Sequence, residues 1–307
     1  MKKKELILSL LILSTLLWSC SSSDSNLVYA YQDRIVDTLS VIAAEKELFA
    51  KNVEGKIFSS GPQTVEALIS GSADVAAMGD SAAIILLSKY DNFRIIASHG
   101  SGEKRHRIVT GKEIQIDTWN DLQGLRIGIK KGTSTYGGLI IKAEDKGIDL
   151  ENSLMEMSPS VQLTALASGE IDALVASEPT PSIAEDKEIG RHFDYLDMPG
   201  MTYPIVLVAS EKTIAERKAQ LEDLIKSLEN AQDYLATNRS DVITVHSSLS
   251  GFSPAMVENS LSLHNHVVRP ASDFRETLDE LGRILLKTGT INQLPDWDKV
   301  LDMSLME

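Results

Sequence analysis

The strongest constraint in this chain is a motif that occurs twice. Residues 67–74 read ALISGSAD and residues 165–172 read ALASGEID, so Ala, Leu, Ser, Gly and Asp return in register 98 positions later. Each copy closes an apolar-periodic segment, 64–70 or 161–168, with a glycine, Gly71 or Gly169, suited to the left-handed position just past a helix end. Each then enters a short apolar run, 75–78 or 171–175, with the length and content of a buried strand. The same offset pairs LVYAY at 27–31 with LRIGI at 125–129. A period of this size is that of a domain and far exceeds a solenoid repeat, so two similar α/β lobes are expected, each a doubly wound sheet.

A chain of 307 residues has room for two ordinary cores. Formal net charge is −14, from 30 basic and 44 acidic side chains, and the concentrated basic tracts are Lys2-Lys3-Lys4 and Lys104-Arg105-His106-Arg107. Phosphate neutralisation is the source of nucleic-acid affinity, so no nucleic acid is expected as a partner. The first residues have the three parts of an export signal: the lysines, an apolar run over 6–17 too short for a comfortable membrane span, and Trp18-Ser19-Cys20. Leu17-Trp18-Ser19-Cys20 resembles the bacterial lipobox, in which cleavage precedes the cysteine and the cysteine is lipidated. Several acyl chains on one residue hold a protein at a bilayer stably. The expected start is therefore a signal peptide over 1–19 and a lipidated tether over 20–26, with the protein exported and facing the periplasm or cell exterior. Cys20 is the single cysteine, so the exported part is expected to fold without disulfides.

Strand-like runs at 27–31, 53–58, 75–78 and 93–97 and helical segments at 38–50, 64–70 and 82–89 make the first lobe, with Asp80 or Ser81 capping the last helix. The character changes over 103–120, where 107–110 and 113–116 read as a crossing segment. A second lobe follows, with strands at 125–129, 154–157, 171–175 and 193–196. The run 204–209 is the expected return crossing, and helices at 213–237, 254–261, 271–288 and 297–303 form outer layers of the first lobe. The division is thus 27–106 plus 205–307 for lobe 1 and 107–204 for lobe 2. Two crossings between α/β lobes make a hinge, and a hinge encloses a cleft.

In open parallel sheets, ligands sit beyond the carboxyl ends of the strands. That rule selects the loops 32–37, 59–62, 79–81 and 98–100 in the first lobe and 130–136, 158–160 and 177–180 in the second. Most carry hydroxyls and glycines and then start a helix, where exposed amides favour an anionic or strongly polar group. Ser and Thr in such places are also ordinary N-caps. The loop 130–138 is the strongest single candidate: Gly132 and the hydroxyls of Thr133, Ser134 and Thr135 let backbone approach a ligand, and Tyr136 offers a flat wall or a phenol donor. Its glycine spacing fits neither a Walker loop nor a dinucleotide fingerprint. Glu178, before Pro179, either hydrogen-bonds a ligand amine or ring nitrogen or caps the helix beginning near Pro181, and Asp80 occupies the matching place in the first lobe. Asp74 and Asp172 precede their strands on the side away from the cleft and read as turn formers.

Catalytic chemistry finds little support in the residues. No Gly-x-Ser-x-Gly elbow is present, the one cysteine stands at the terminus, and no nucleophile with a base can be assigned. His264-Asn265-His266 places two imidazoles together without a third ligand at metal spacing, so neither a metal nor a cofactor is expected.

The ordered series of an export signal with lipobox, VEALISGSADVAAMGD, DLQGLRIGIKKGTSTYGG and TALASGEIDALVASEPTP resembles the solute-binding proteins of ABC importers. The likeness is to the SsuA-like branch that takes nitrate, sulfonates, taurine and thiamine precursors, and it runs over most of 27–210. It implies a type II periplasmic-binding-protein fold, a closing cleft, and delivery of the solute by a monomeric receptor to a membrane permease with its ATPase. By that resemblance the ligand contacts fall on Gln32, Asp33 and Arg34, on Gly61, on Gly79, Asp80 and Ser81, on Thr133, Ser134, Thr135 and Tyr136, and on Ser177 and Glu178. His99 joins them from the loop 98–100 chosen by the strand-end rule. The first loop, Gln32-Asp33-Arg34-Ile35-Val36-Asp37, replaces the glycine- and proline-containing stretch usual in the group. Arg34 and the hydroxyl loops favour a small organic anion, whereas Asp80, Glu178 and Tyr136 favour a polar heterocycle. Two other classes share the fold: a pyrimidine-precursor synthase-like enzyme, and a sensory receptor component that binds the same solute without transport.

Overall fold

Two five-stranded sheets organise the protein in a computed structural model that describes residues 25–306; the export signal and Cys20 lie outside the described residues. In chain order the strands are β1 (Leu27–Tyr31), β2 (Val53–Ile57), β3 (Val75–Gly79), β4 (Phe93–Gly100), β5 (His106–Gly111), β6 (Ile127–Ile129), β7 (Leu154–Glu156), β8 (Ala173–Ser177), β9 (Gly190–Tyr195) and β10 (Ile205–Ser210). The first sheet has the order β2-β1-β3-β10-β4 and the second β7-β6-β8-β5-β9. β1, β2 and β3 are mutually parallel, and β10 runs antiparallel between β3 and β4. The second sheet repeats this plan, with β5 antiparallel between β8 and β9.

The helices are α1 (Thr38–Glu45), α2 (Gly61–Ser70), α3 (Asp80–Leu87), α4 (Ser134–Asp145), α5 (Pro159–Ser168), α6 (Thr180–Asp186), α7 (Glu211–Glu216), α8 (Lys218–Thr237), α9 (Arg239–Ser250), α10 (Pro254–Ser262), α11 (Arg275–Lys287) and α12 (Trp297–Val300). On one face of the first sheet, Tyr29, Ala77 and Leu207 pack with Leu39 and Ile42 of α1 and Leu224 and Leu228 of α8. On its other face, Ala76, Met78 and Val206 pack with Ile84 of α3 and Leu278, Leu281 and Leu285 of α11. The second sheet is covered likewise, by Leu139 of α4 on one side and by Ala165 and Leu166 of α5 with Ala184 of α6 on the other. Apolar burial on both faces explains why the inner strands β3, β8 and β10 are near-continuous apolar runs, whereas the edge strands β2 and β9 are polar and partly exposed.

The repeated motif is repeated in three dimensions. Gly71 ends α2 at φ 74° and Gly169 ends α5 at φ 72°. Asp74 then accepts a hydrogen bond from the Val28 amide at 2.8 Å through Oδ2, and Asp172 does the same for the Arg126 amide at 2.8 Å. These aspartates, expected as turn formers, instead tie the entry into β3 to β1 and the entry into β8 to the residue ahead of β6.

Several expectations are corrected. Residues 107–110 belong to no crossing segment; they lie within β5, near the middle of the second sheet, and 113–116 form no strand. The run 204–209, expected as a return crossing, likewise enters a sheet interior as β10. The physical reason is their apolar content: Ile108, Val109 and Ile205 to Ala209 are fully buried. The true crossings are the short segments 101–105 and 196–204. α9 was not foreseen, because its Val242, Ile243 and Val245 are β-branched and weaken the helical signal. The 213–237 helix is broken at Arg217 into α7 and α8, and the last helix covers four residues only. Gly79, not Asp80 or Ser81, is the N-cap of α3, which frees the Asp80 side chain for another partner.

A Cβ built on Gly71 or Gly169 meets nothing within 4 Å, so their requirement is conformational rather than steric. Gly71→Ala and Gly169→Ala are each expected to cost about 1 kcal/mol, from the left-handed backbone alone, and to add when combined because they end helices that pack on different sheets. Urea unfolding of the two single variants and the double variant checks this.

Candidate functional site

The antiparallel strands decide where the site lies. Ile205 pairs with Gly79 and Gly100, and His106 pairs with Ser177, so each crossing enters its new sheet at the carboxyl ends of the parallel strands. Both crossings therefore run past the loops that the strand-end rule selects. The two mouths meet there: the Asp80 carboxylate accepts a hydrogen bond from the Ser134 hydroxyl of the opposite half.

From the first mouth come Gln32, Arg34, Asp37, Asp80, Ser81 and His99. Arg34 Nε donates to Asp37 Oδ2 at 2.7 Å, which fixes the carboxylate, while Arg34 Nη2 and Asp37 Oδ1 are buried without a partner. Gln32 is buried next to Gly61. Asp80 is fully buried, with Oδ1 accepting from the Ser81 amide at 2.6 Å and Oδ2 left open, as is the Ser81 hydroxyl. His99 is fully buried, and neither ring nitrogen has a hydrogen-bond partner.

The second mouth contributes Arg105, His106, Ser134, Thr135, Ser177 and Glu178. Thr135 is buried and its hydroxyl sits 2.7 Å from His106 Nδ1, leaving Nε2 open. Glu178 Oε1 accepts from Arg107 Nε at 2.7 Å, and Arg107 also reaches Ser182 at 3.0 Å and Glu185 at 2.6 Å. Arg107 is thus neutralised by two carboxylates and holds Glu178 in place, with Oε2 open.

Arg105 has a different environment. It is 5% exposed, its Nε donates to the Tyr203 carbonyl at 3.3 Å, and among the described residues it forms no ion pair. Tyr203 belongs to the other crossing, and its hydroxyl donates to the Leu196 carbonyl at 2.7 Å, so this guanidinium is tied to the hinge itself. Burial lowers its pKa to about 10, against the pull of Asp80, Asp37 and Tyr203. Burial likewise raises the Asp80 carboxyl, against the pull of Arg105. The two charges attract through space without touching.

Not every expected contact residue shares this place. Asp33 is exposed. Thr133 is occupied in capping α4: its hydroxyl donates to the Lys130 carbonyl at 2.7 Å and accepts from the Tyr136 amide at 3.3 Å. Tyr136 packs against the core of the second sheet and lines a separate cavity of about 630 Å³ with Ile140, Leu150 and Lys287. Gly61 and Gly79 start α2 and cap α3, and Ser177 ends β8. Arg105 and His106 lie here although they fall outside the loops chosen by the strand-end rule, whereas Asp37 closes the chosen loop 32–37. The sequence signal for Arg105 and His106 is the Lys104-Arg105-His106-Arg107 tract in an acidic chain, directly ahead of an apolar run.

Buried polar atoms in proteins are nearly all hydrogen-bonded, so the open valences of Arg34, Asp37, Asp80, Ser81, His99 and His106 mark a place shaped for a polar guest. Among the described residues no group of three or more His, Cys, Asp or Glu side chains is arranged to hold a metal ion.

A family model for phosphonate periplasmic substrate-binding proteins of ABC transporters matches residues 41–259. A relative in Brucella abortus (strain 2308), named only as a presumed binding protein, is 27% identical over 210 residues, covering 66% of this chain and 64% of its own length. Among solved structures, the periplasmic aliphatic sulphonate binding protein SsuA from Escherichia coli superposes with a TM-score of 0.82 at 18% identity, over 92% of this chain and 93% of that one. The alkanesulfonate-binding protein SsuA from Xanthomonas axonopodis pv. citri bound to MOPS gives 0.77 at 21% identity, over 92% and 97%. At these identities the structural likeness establishes the fold, which is that of the periplasmic binding proteins.

Histidines surround the first mouth. Burial pulls His99 below its ordinary value despite Asp37, so the 3.7 Å approach to Asp37 Oδ1 is that of a neutral ring and not an ion pair. His264 is pulled down to about 3 and His246 to about 4, both by burial first. Thr38 donates its hydroxyl proton to the Ile35 carbonyl at 2.5 Å, so it accepts from His246 Nε2 at 2.9 Å, which fixes a neutral tautomer. A histidine whose folded pKa is depressed stabilises the fold fully above its unfolded value near 6.5 and loses that stabilisation as pH falls toward the folded value. Stability is therefore expected to fall as pH drops from about 6.5 to about 4, by about 1.4 kcal/mol per pH unit for His246 alone. Denaturation midpoints across this range, steeper for the native chain than for His246→Gln, check it.

Proposed function

The chain belongs to the family of phosphonate periplasmic substrate-binding proteins of ABC transporters, and on that premise we propose that it captures a small solute bearing an acidic oxyanion between its two sheets. The observation that carries this reading is Arg105, a buried guanidinium with no carboxylate paired to it and tied to the hinge through the Tyr203 carbonyl. Asp80 and Asp37 act on this buried cation only through space, so the cost of burying it is offset when an anionic guest hydrogen-bonds the guanidinium directly. Arg34 Nη2 and the Ser81 hydroxyl offer further donors. The site residues proposed to touch the solute are thus Arg34, Asp80, Ser81, His99, Arg105 and Ser134, with Gln32, Thr135, Ser177 and Glu178 lining or positioning.

In this reading lobe 1 comprises 27–106 plus 205–307 and lobe 2 comprises 107–204, and closure brings Asp80 against Ser134. The protein does no chemistry on its guest and hands it to a permease with its ATPase. The lipobox-like Leu17-Trp18-Ser19-Cys20 supports anchoring by a lipidated Cys20 on the extracytoplasmic side.

Thermal-shift screening of alkylphosphonates and alkylsulfonates tests the proposal. A member of one class, at one hundred times its dissociation constant, is expected to add about 2.7 kcal/mol of stability. Arg105→Gln is expected to weaken binding by about 10- to 100-fold. Unaltered binding by that variant, or no stabilisation by either class, contradicts the reading.

A further inference from the structure

We propose that an apolar groove on the outside of lobe 1, between α2 and α3, is a membrane-contact face that lays the anchored protein along the bilayer, so that lobe 1 is held and lobe 2 is the half that swings. The inference goes beyond solute capture and rests, of the readings above, on anchoring through Cys20.

The groove has a volume of about 500 Å³ and is walled by Pro62, Val65 and Ile69 of α2, by Ile85 and Leu86 of α3, and by Tyr90 just beyond. Ile69 is 44% exposed and Tyr90 41%. The fold itself does not require this surface. β8 follows β3 residue for residue at the 98-position offset, and the same offset sets Ala167 at the place of Ile69 and Glu188 at the place of Tyr90, both exposed. One half of a repeated plan thus keeps an apolar face where the other is small and charged. A contiguous exposed apolar surface marks contact with a membrane or with a protein.

The position of the tether selects the membrane. Arg217 donates from Nη2 to the Ser25 hydroxyl at 2.6 Å and from Nη1 to Asp74 Oδ2 at 3.0 Å, and it lines a small cavity with Leu68 and Gly71 at the end of α2. The chain therefore meets the fold beside the end of α2 that carries Ile69. Cys20, outside the described residues, stands five positions ahead of Ser25, and five residues span at most about 18 Å. Acyl chains on Cys20 keep this end of the groove within that distance of a bilayer. The opposite end of the groove is Gly61 and Pro62, in the loop 59–62 at the first mouth. A groove that runs from tether to mouth, set against the bilayer, brings the mouth to the membrane surface. Tyr90 and Lys89 at the groove's edge suit that place, with apolar bodies inward and polar tips among headgroups. A formal net charge of −14 gives no general attraction to anionic headgroups, so the contact rests on apolar burial.

Ile69→Cys and Val161→Cys, in separate full chains purified with their lipid and reconstituted in phosphatidylcholine vesicles, test this through a fluorescent dye on the introduced thiol. Cys20 is the single native cysteine and its lipid blocks it from labelling. Val161, 52% exposed on α5 of the other half, is the control. Lipids carrying a nitroxide on the acyl chain are expected to quench the dye at 69 and not the dye at 161. Tyr90→Glu, added to Ile69→Cys, is expected to abolish that quenching while solute binding is unchanged. Equal quenching at both positions, none at 69, or quenching that survives Tyr90→Glu overturns the proposal. Self-quenching between dyes at 69 without quenching by lipid assigns the groove to a second copy of the chain and overturns it as well. If the chain is recovered without lipid on Cys20, the anchoring reading falls and this inference with it, while solute capture stands.

Discussion

Each sheet is completed by a strand that the other half of the chain delivers. β5 follows the four parallel strands of the first sheet but pairs in the second, and β10 follows those of the second sheet but pairs in the first. Each lies between two neighbours, so its backbone groups are committed on both edges, and withdrawing either strand would orphan buried N–H and C=O groups. The crossings are therefore anchored at both ends, and the two mouths are obliged to face one another. Motion between the halves is left to the short segments 101–105 and 196–204, which is the geometry of a hinge.

The same exchange explains the electrostatics of the cleft. Because an antiparallel strand enters its sheet where the parallel strands end, the residue just ahead of β5 is carried into the mouth. That residue is Arg105, held to the second crossing through Tyr203. Arg107, two positions on, meets Glu178 and Glu185 and is electrically spent. Two arginines in one tract thus have opposite fates. One braces the tip of the second sheet and the other remains without a carboxylate paired to it. Around it, buried histidines stay neutral and three carboxylates, Asp37, Asp80 and Glu178, keep one oxygen each unpartnered. Such a collection is tolerable only because the sheets beneath it are densely apolar and fully paired, so the cost of the open valences is borne by the scaffold.

Much of the architecture was legible in the residues. The repeat announced two α/β halves, Gly71 and Gly169 marked helix ends through their left-handed backbone, and the loops chosen by the strand-end rule hold Asp80, Ser81, His99, Ser134 and Thr135, all of which are buried. Tyr136 and Thr133 belonged to the same loop, yet one turns into the second core and the other caps its own helix. Local sequence names a loop but not the direction in which each side chain leaves it. Arg105 escaped notice for a related reason: 107–110 looked like a link between lobes, and only pairing with β8 and β9 made it an interior strand. The offset of 98 held a clue, since it sets Arg107 against Ile205, near the starts of the two exchanged strands.

The amino-acid sequence by itself determined the two repeated halves, the buried apolar strands and the helix stops, because these depend on short-range periodicity and on which residues tolerate a left-handed backbone. Tertiary structure alone decided that the fifth strands change places, that Arg105 goes unpaired while Arg107 does not, and that Asp80 meets Ser134 of the opposite mouth through one oxygen and keeps the other open. Those outcomes depend on which distant groups arrive within a few ångströms of one another, and long-range pairing leaves no periodic trace along the chain.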